Sequence, residues 1–459
     1  MAKRESIELD VKPVMGKPLN KRHQISAAKL KALTPKLKSL ITMIEKERAA
    51  GDHRYRDLPH QRKMLRQVQA AAKRYRPKTD NLVVLGIGGS ALGNVALQQA
   101  LNPATYNLLP RSKRKGPRLF VLDNVDPAYV GAVLDFVGGD LKRTLFNVIS
   151  KSGETAETAA QFLIIRDLLR KKLGPAAAKR QILVTTDPAR GTMRGIVDAE
   201  GFESLEVPDG VGGRFSVFSA VGLFSAAMCN IDVAGMLQGA AAMDQRVQST
   251  AVRQNPAAML AAIHYLYYKA GKPLHVMMPY SNQLYGLADW FRQLWAESLG
   301  KRLSADGKRE VFEGPTPIKA LGTTDQHSQV QLYREGPNDK IVTFLEIADY
   351  GRDLTIPKQL AHVDAMAYLG NQRLSKLINA EKVATEKAML ASDRPCLTVR
   401  FPRISASTVG QFIYLYEAAT TITGRLLNID PYDQPGVELG KKITFHLMGR
   451  KGYRTMPKD

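Results

Sequence analysis

From residue 82 onward, short apolar and β-branched runs alternate with longer segments whose apolar positions recur every three or four residues. The runs "LVVLGI", "RLFVLDN", "LFNVIS" and "QILVTTD" predict strands. Between them, "ALGNVALQQAL", "PAYVGAVLDFV" and "ETAAQFLIIRDLLRKKL" predict helices. Such alternation predicts a parallel sheet covered by helices on both faces. A mainly helical stretch over 218–270 follows, and then a second alternation begins. It reads as strand "PLHVMMPY", a helix from Asn282 to Leu299, strand "KIVTFLEIAD", more helix, strand "PCLTVRFP" and helix "VGQFIYLYEAATTITGRLL". The predicted class is α/β, with two mainly parallel sheets flanked by helices and a helical N-terminal arm. The predicted divisions are a basic arm over 1–80, α/β domains over 81–250 and 251–447, and a tail over 448–459.

Composition narrows the picture. The 459 residues are 44% hydrophobic and 24% charged, an ordinary balance for a chain with large cores. Two cysteines, Cys229 and Cys396, supply neither a disulfide framework nor C-x-x-C pairs, which points to a reducing compartment. No apolar run reaches the roughly 18 residues of a membrane span. The nearest, Phe215 to Cys229, is broken by three serines. The N-terminal "MAKRESIELDVKP" lacks the apolar core of a signal peptide, so the expectation is a cytoplasmic protein.

The net charge is +23, and residues 1–80 carry 21 Lys and Arg against 8 Asp and Glu. "RKMLRQVQAAAKRYRPK" sets Met64, Leu65, Val68 and Ala71 or Ala72 on one side of a helix. Its cations then read as a solvated face, or alternatively as a nucleic-acid patch. No zinc finger, RNA-binding aromatic signature or basic zipper supports the nucleic-acid reading.

Two turns carry candidate chemistry. Gly86-Ile87-Gly88-Gly89-Ser90-Ala91 follows a strand and opens a helix, as in a dinucleotide-binding turn. The acidic residue that would bind ribose about 20 residues on is missing, since Asp123 and Asp126 lie more than 30 residues past Gly88. The turn is therefore a packing device or the wall of another ligand site. "NVISKSGETAETAAQFL" runs from a strand through Ser150, Lys151, Ser152 and Thr155 into a helix. Hydroxyls and free N–H groups at a helix start suit a small phosphate. The competing reading is simple N-capping by Ser152 or Thr155, with Glu157 in the first turn.

Arg214 follows Gly212 and Gly213, where the backbone can approach a ligand and the guanidinium can face an oxyanion; a surface arginine is equally consistent. Gln293 and Glu297, four apart on a helix, share a face opposite Leu284, Leu287, Phe291 and Leu294. His327, in "GTTDQHSQ", is the best general acid/base candidate among the eight histidines, and no metal is expected around it. Gln434, Glu438 and Lys441 surround a Pro-Gly turn that opens a helix, where Lys441 taken singly reads as a surface lysine.

Together, "GIGGSALG", "SKSGETAET", "GGRFS", "QLWAESLGK", "GTTDQHSQ" and "DQPGVELGK" resemble the glucose-6-phosphate isomerase family in order and spacing, across residues 86 to 441. The resemblance implies two sugar-isomerase domains, a homodimer and no cofactor. It implies interconversion of glucose 6-phosphate and fructose 6-phosphate through a cis-enediol, in glycolysis and gluconeogenesis. By the same resemblance, Ser150, Ser152 and Thr155 hold the substrate phosphate beside Lys151, and Gly89 and Ser90 line the sugar site. Glu297 is the base, Gln293 a substrate contact, and Arg214 stabilises the intermediate. His327, donated across the dimer interface, and Lys441 open the ring, with Gln434 as the neighbour of Lys441. A sugar-phosphate-binding regulator on the same domains is the rival; it would not need Glu297, His327 and Lys441 together. A nicotinamide dehydrogenase, suggested by the glycine turn, is a third reading. The chain departs from the family pattern at Glu154, where Thr is usual, and at Ala220, where Pro is frequent. A carboxylate in the phosphate loop should weaken phosphate affinity unless it points away or meets a cation.

Overall fold

The computed structural model describes residues 5–458. The first four residues of the basic arm and Asp459 of the tail lie outside them. The first sheet is built from β2 (Asn81–Leu85), β3 (Arg118–Leu122), β4 (Thr144–Ile149), β5 (Ile182–Thr186) and β6 (Glu203–Glu206). All neighbours run parallel, in the order β3-β2-β4-β5-β6. Every residue of β2, β4 and β5 is buried. Alternate residues feed two cores: Leu82 and Val84 join one, Val83 and Leu85 the other. Helices on both faces of a parallel sheet require this near-continuous apolar run.

The second sheet is β1-β12-β11-β7-β10, from β1 (Glu8–Asp10), β7 (Leu274–Pro279), β10 (Thr316–Lys319), β11 (Lys340–Asp349) and β12 (Cys396–Arg403). Only β1 is antiparallel, pairing Glu8 with Arg400 and Asp10 with Thr398. A short hairpin of β8 (Lys301–Leu303) and β9 (Glu310–Glu313) stands apart. The seven strands predicted from apolar runs all form. The pattern does not reveal β1, β6, β8, β9 or β10, because these are three or four residues long and lie at edges or outside the sheets. Pro317 in β10 is tolerated there because an edge strand needs donors on one side only.

The helix Ala406–Leu427 buries nearly every side chain, opens on a reciprocal Ser405–Thr408 capping box and ends on Asn428 in the left-handed conformation. It crosses the helix Val233–Val247 at backbone contact. A Cβ on Gly410 would stand 2.1 Å from the Met236 carbonyl oxygen, and one on Gly239 would stand 2.0 Å from that of Ser407. The N-terminal segment packs into this body. The helix Arg62–Tyr75 buries Met64, Val68, Ala71, Ala72 and Tyr75, leaving Arg62, Lys63, Arg66 and Lys73 exposed. Arg48 and Arg56 point inward, onto the buried carboxylate of Asp244. No helix among the described residues is long and apolar enough to cross a membrane.

Candidate active site

In both sheets the chain leaves one parallel strand, β2 in the first and β7 in the second, for a neighbour on one side and later returns to its other side. The crevice at the carboxyl ends of such strands is where ligands bind in open α/β sheets. In the first sheet the crevice lies between β2 and β4. The Gly88–Ser90 turn leaves β2, and the Ser150–Thr155 loop leaves β4.

The glycine turn works by close approach. A Cβ on Gly89 would lie 2.1 Å from the carbonyl carbon of Gly213 and 2.5 Å from the Arg214 nitrogen. Gly88, at φ +55°, lies against the Gln293 amide, which an added Cβ would meet at 2.9 Å. The turn therefore abuts the Arg214 loop and the Gln293–Glu297 helix at once. The helix Leu92–Leu101 that it opens is tied to that region by a bond from Gln99 Nε2 to the Asn282 carbonyl at 2.7 Å.

The helix Tyr285–Leu299 buries Leu287, Phe291, Leu294 and Trp295 and presents Gln293 and Glu297 on the other side, both partly exposed. Gln293 Nε2 donates to Glu297 Oε1 at 3.1 Å. Its own Oε1 is buried without a partner, an acceptor that awaits a donor. Arg214 Nη1 donates to Glu297 Oε2 at 3.3 Å and to Gln434 Oε1 at 2.8 Å. Its Nε donates to Ser298 Oγ at 2.7 Å, and Nη2 to the carbonyls of Pro431 and Asp433 at 2.7 and 3.0 Å. All five N–H groups of this buried guanidinium are thus engaged by protein. Burial lowers its pKa from the usual arginine value, opposed by Glu297, and the group stays charged at ordinary pH.

The phosphate-type loop is joined to the same wall by Lys151 Nζ, which donates to the Val211 carbonyl at 3.3 Å. Ser150 is buried, and its Oγ accepts from Gly153 N–H at 3.0 Å. Ser152 Oγ accepts from Glu154 N–H at 3.1 Å, so it does not cap the helix Ala156–Leu173. Thr155 holds the N-cap position without a side-chain cap bond. The simple N-capping reading is therefore not what the loop does; its helix N-terminus stays open.

The structure bonds Arg214, Glu297, Gln293 and Gln434 together and sets Gly88 and Gly89 beside them, with Ser90 next in the same turn. It does not bond His327 or Lys441 to that cluster. His327 is exposed at the end of the turn Thr324–His327, and its side chain makes no hydrogen bond among the described residues. The turn is held by Asp325, which accepts from Leu321 N–H at 2.6 Å and from Ser328 Oγ. Lys441 lies on the exposed helix Glu438–Leu447, paired with Glu438 at 2.7 Å.

Sequence reasoning missed the partners that place these groups. Lys301, buried at the end of the Glu297 helix, donates to the Glu297 carbonyl at 2.9 Å and pairs with Asp433 Oδ1 at 2.9 Å. Burial lowers its pKa from the usual lysine value, against the pull of Asp433. Arg214 and Lys301 together pin the 431–434 loop that carries Gln434. The only signal in the sequence is a lysine just after the helix-ending Gly300.

Behind Glu297, Trp295 Nε1 donates to His275 Nδ1 at 3.0 Å, and His264 Nδ1 faces the same atom at 3.1 Å. Indole N–H is a donor only, so His275 Nδ1 is bare and His264 Nδ1 carries a proton. Both rings are neutral: burial lowers the pKa of His264 to about 3 and that of His275 well below the usual value. The unfolded chain takes up these protons below about pH 6.5, the native state does not, and stability falls with acid. Each ring contributes a slope of about 1.4 kcal/mol per pH unit below that point. Thermal melts should therefore show a marked fall in Tm between pH 7 and 5; a flat profile would contradict the neutral pair.

The chain matches the phosphoglucose isomerase family over residues 55–452. It is 42% identical to a glucose-6-phosphate isomerase of Carboxydothermus hydrogenoformans, over 95% of this chain and 93% of that one. It is 41% identical to the glucose-6-phosphate isomerase of Rubrobacter xylanophilus, over 94% and 96%. Among solved structures, a hypothetical protein of Thermus thermophilus superposes with TM-score 0.85 at 33% identity, covering 96% of this chain and 99% of that one. A glucose-6-phosphate isomerase from Chlamydia trachomatis shares the fold, with TM-score 0.74 at 23% identity, covering 98% and 82%. With the glycine turn, the Ser150–Thr155 loop and the Glu297–Arg214 cluster all inside the matched span, the chain belongs to the phosphoglucose isomerase family.

Proposed function

We propose that the chain is an aldose–ketose isomerase interconverting glucose 6-phosphate and fructose 6-phosphate, serving glycolysis and gluconeogenesis in the cytoplasm. The observation that carries this reading is Glu297. It is a partly exposed carboxylate oriented by Gln293 and Arg214, and Lys151 ties the uncapped loop suited to phosphate to Val211, three residues before Arg214. The close relatives named glucose-6-phosphate isomerase support the same reaction. Two sugar-isomerase domains, over 81–250 and 251–447, would supply the two halves of the site.

In this scheme the phosphate docks on Ser150, Ser152 and Thr155 with Lys151, and its binding energy orients the sugar. Gly89 and Ser90 line the sugar, and the orphaned Gln293 Oε1 accepts a sugar hydroxyl. His327 and Lys441 open the ring. Glu297 takes the proton from C2 of the aldose and returns it to C1 through a cis-enediol, with the transfers reversed for the ketose. The 3.3 Å bond to Glu297 is the longest that Arg214 makes in the site. Once Glu297 is protonated it holds Nη1 less strongly, and the positive charge turns to the enediolate as it forms. No cofactor enters these steps. The exposed His327 side chain, which makes no hydrogen bond among the described residues, suits donation to the site of a second copy in a homodimer.

The test is turnover: purified protein with fructose 6-phosphate, glucose 6-phosphate being assayed by a coupled enzyme. Steady product formation is expected, and no turnover overturns the proposal. Activity should also fall on dilution into monomers; a fully active monomer would contradict the loan of His327.

A further inference from the structure

Glu154 puts a carboxylate between Ser152 and Thr155, in the middle of the donors read above as a phosphate site. The structure shows where that charge goes. Glu154 Oε2 lies 3.3 Å from Arg450 Nη2, a residue of the C-terminal tail 296 positions away in sequence. The guanidinium is set in place before it reaches Glu154. It stacks on the Phe445 ring at 4.3 Å and on the Tyr453 ring at 5.6 Å, with the two rings edge-on 5.2 Å apart. Arg450 N–H donates to the Phe445 carbonyl at 2.8 Å, and Tyr453 N–H to the Arg450 carbonyl at 3.1 Å. His446 Nδ1 meets the Tyr453 carbonyl at 2.8 Å.

Both partners of the ion pair are well exposed, and such pairs add little to stability. A clamp of two aromatic rings and two backbone hydrogen bonds on one surface arginine, with His446 fixing the Tyr453 carbonyl, needs a different reason. We propose that Arg450 is a specificity-determining residue of the phosphate loop: it neutralises Glu154 so that the loop accepts an anion. The inference rests on the reading of Ser150–Thr155 as the substrate-phosphate site. It adds a role for the tail, which thereby joins the terminal helix carrying Lys441 to the loop after β4.

The test is a double-mutant cycle of the full chain: parent, Arg450→Ala, Glu154→Thr and the double variant. Two readouts are needed: affinity for inorganic phosphate by calorimetry, and KM and kcat for fructose 6-phosphate. Arg450→Ala should weaken phosphate binding and raise KM by about fivefold, the scale of one charge–charge repulsion at contact distance in water-like surroundings, with kcat little changed. Glu154→Thr in the same chain should restore both. Unchanged phosphate affinity in Arg450→Ala overturns the proposal. So does a loss that persists in the double variant, since Arg450 would then act on the anion or the fold directly. A parent chain that neither binds phosphate nor isomerises overturns the isomerase reading itself. A parent that does both, while Arg450→Ala is unaffected, overturns only the role of Arg450.

Discussion

Glu297→Gln is expected to fold as the parent does, to bind substrate with little change in KM, and to lose about 10²–10⁴-fold in kcat, the usual contribution of a positioned base. The substitution is nearly isosteric and the side chain is partly exposed, so the fold has little at stake. Gln293 can still donate to the amide oxygen. Arg214 keeps Ser298, Gln434 and the two carbonyls of the 431–434 loop, so its position survives the loss of one 3.3 Å contact. What disappears is the group that accepts and returns the proton. Steady-state kinetics on fructose 6-phosphate, with circular dichroism as the control for folding, measure the effect. Activity within a few-fold of the parent would remove Glu297 as the base.

How much of this was legible in the sequence depends on the range of each contact. The strand "KIVTFLEIAD", with six apolar residues in ten, forms over the same ten residues, Lys340–Asp349. The face shared by Gln293 and Glu297 follows from helical spacing alone. The Ser150–Thr155 loop was legible as an anion site or a cap, and only the structure shows that Ser152 bonds to Glu154 N–H and Thr155 caps nothing. The role of Gly89 was legible only as a need for close approach. What approaches is the Gly213–Arg214 backbone, more than a hundred residues on. Lys301, Ser298 and the carbonyls of Pro431 and Asp433 had no such local signal. Their meaning depends on a loop folding back 217 and 219 positions onto Arg214. Glu154 was legible as an anomaly in the phosphate loop, but Arg450, 296 residues away, was not legible as its partner. Local periodicity reads elements, whereas these bonds depend on how the elements are docked.

Asp244→Ala is expected to be the most damaging single change to stability, costing about 3–5 kcal/mol, because removing one partner strands buried charge of the opposite sign. Asp244 is almost fully buried in the helix Val233–Val247. Its Oδ1 accepts from Arg48 at 2.9 Å, from Arg56 at 3.0 Å and from the Tyr414 hydroxyl. Its Oδ2 accepts from His60 at 2.9 Å and from Gln248 at 3.1 Å. Burial alone would raise its pKa. The bonds from Arg48 and Tyr414, with Arg56 and His60, instead hold it well below the usual carboxylate range. Arg56 is as buried as the acid it faces, and without Asp244 it keeps Glu45 but loses its innermost partner. Asp244→Asn separates charge from shape: it retains acceptor and volume but not the negative charge, and should fall between the parent and Asp244→Ala in chemical denaturation. Among the described residues no hydrogen bond or ion pair joins Asp244 and its partners to Glu297 or Arg214, so residual activity measured well below Tm should stay near the parental level for the Asn variant. Equal stability of all three chains would show that the arginines find other partners, and that this carboxylate does not hold the N-terminal segment to the body of the fold.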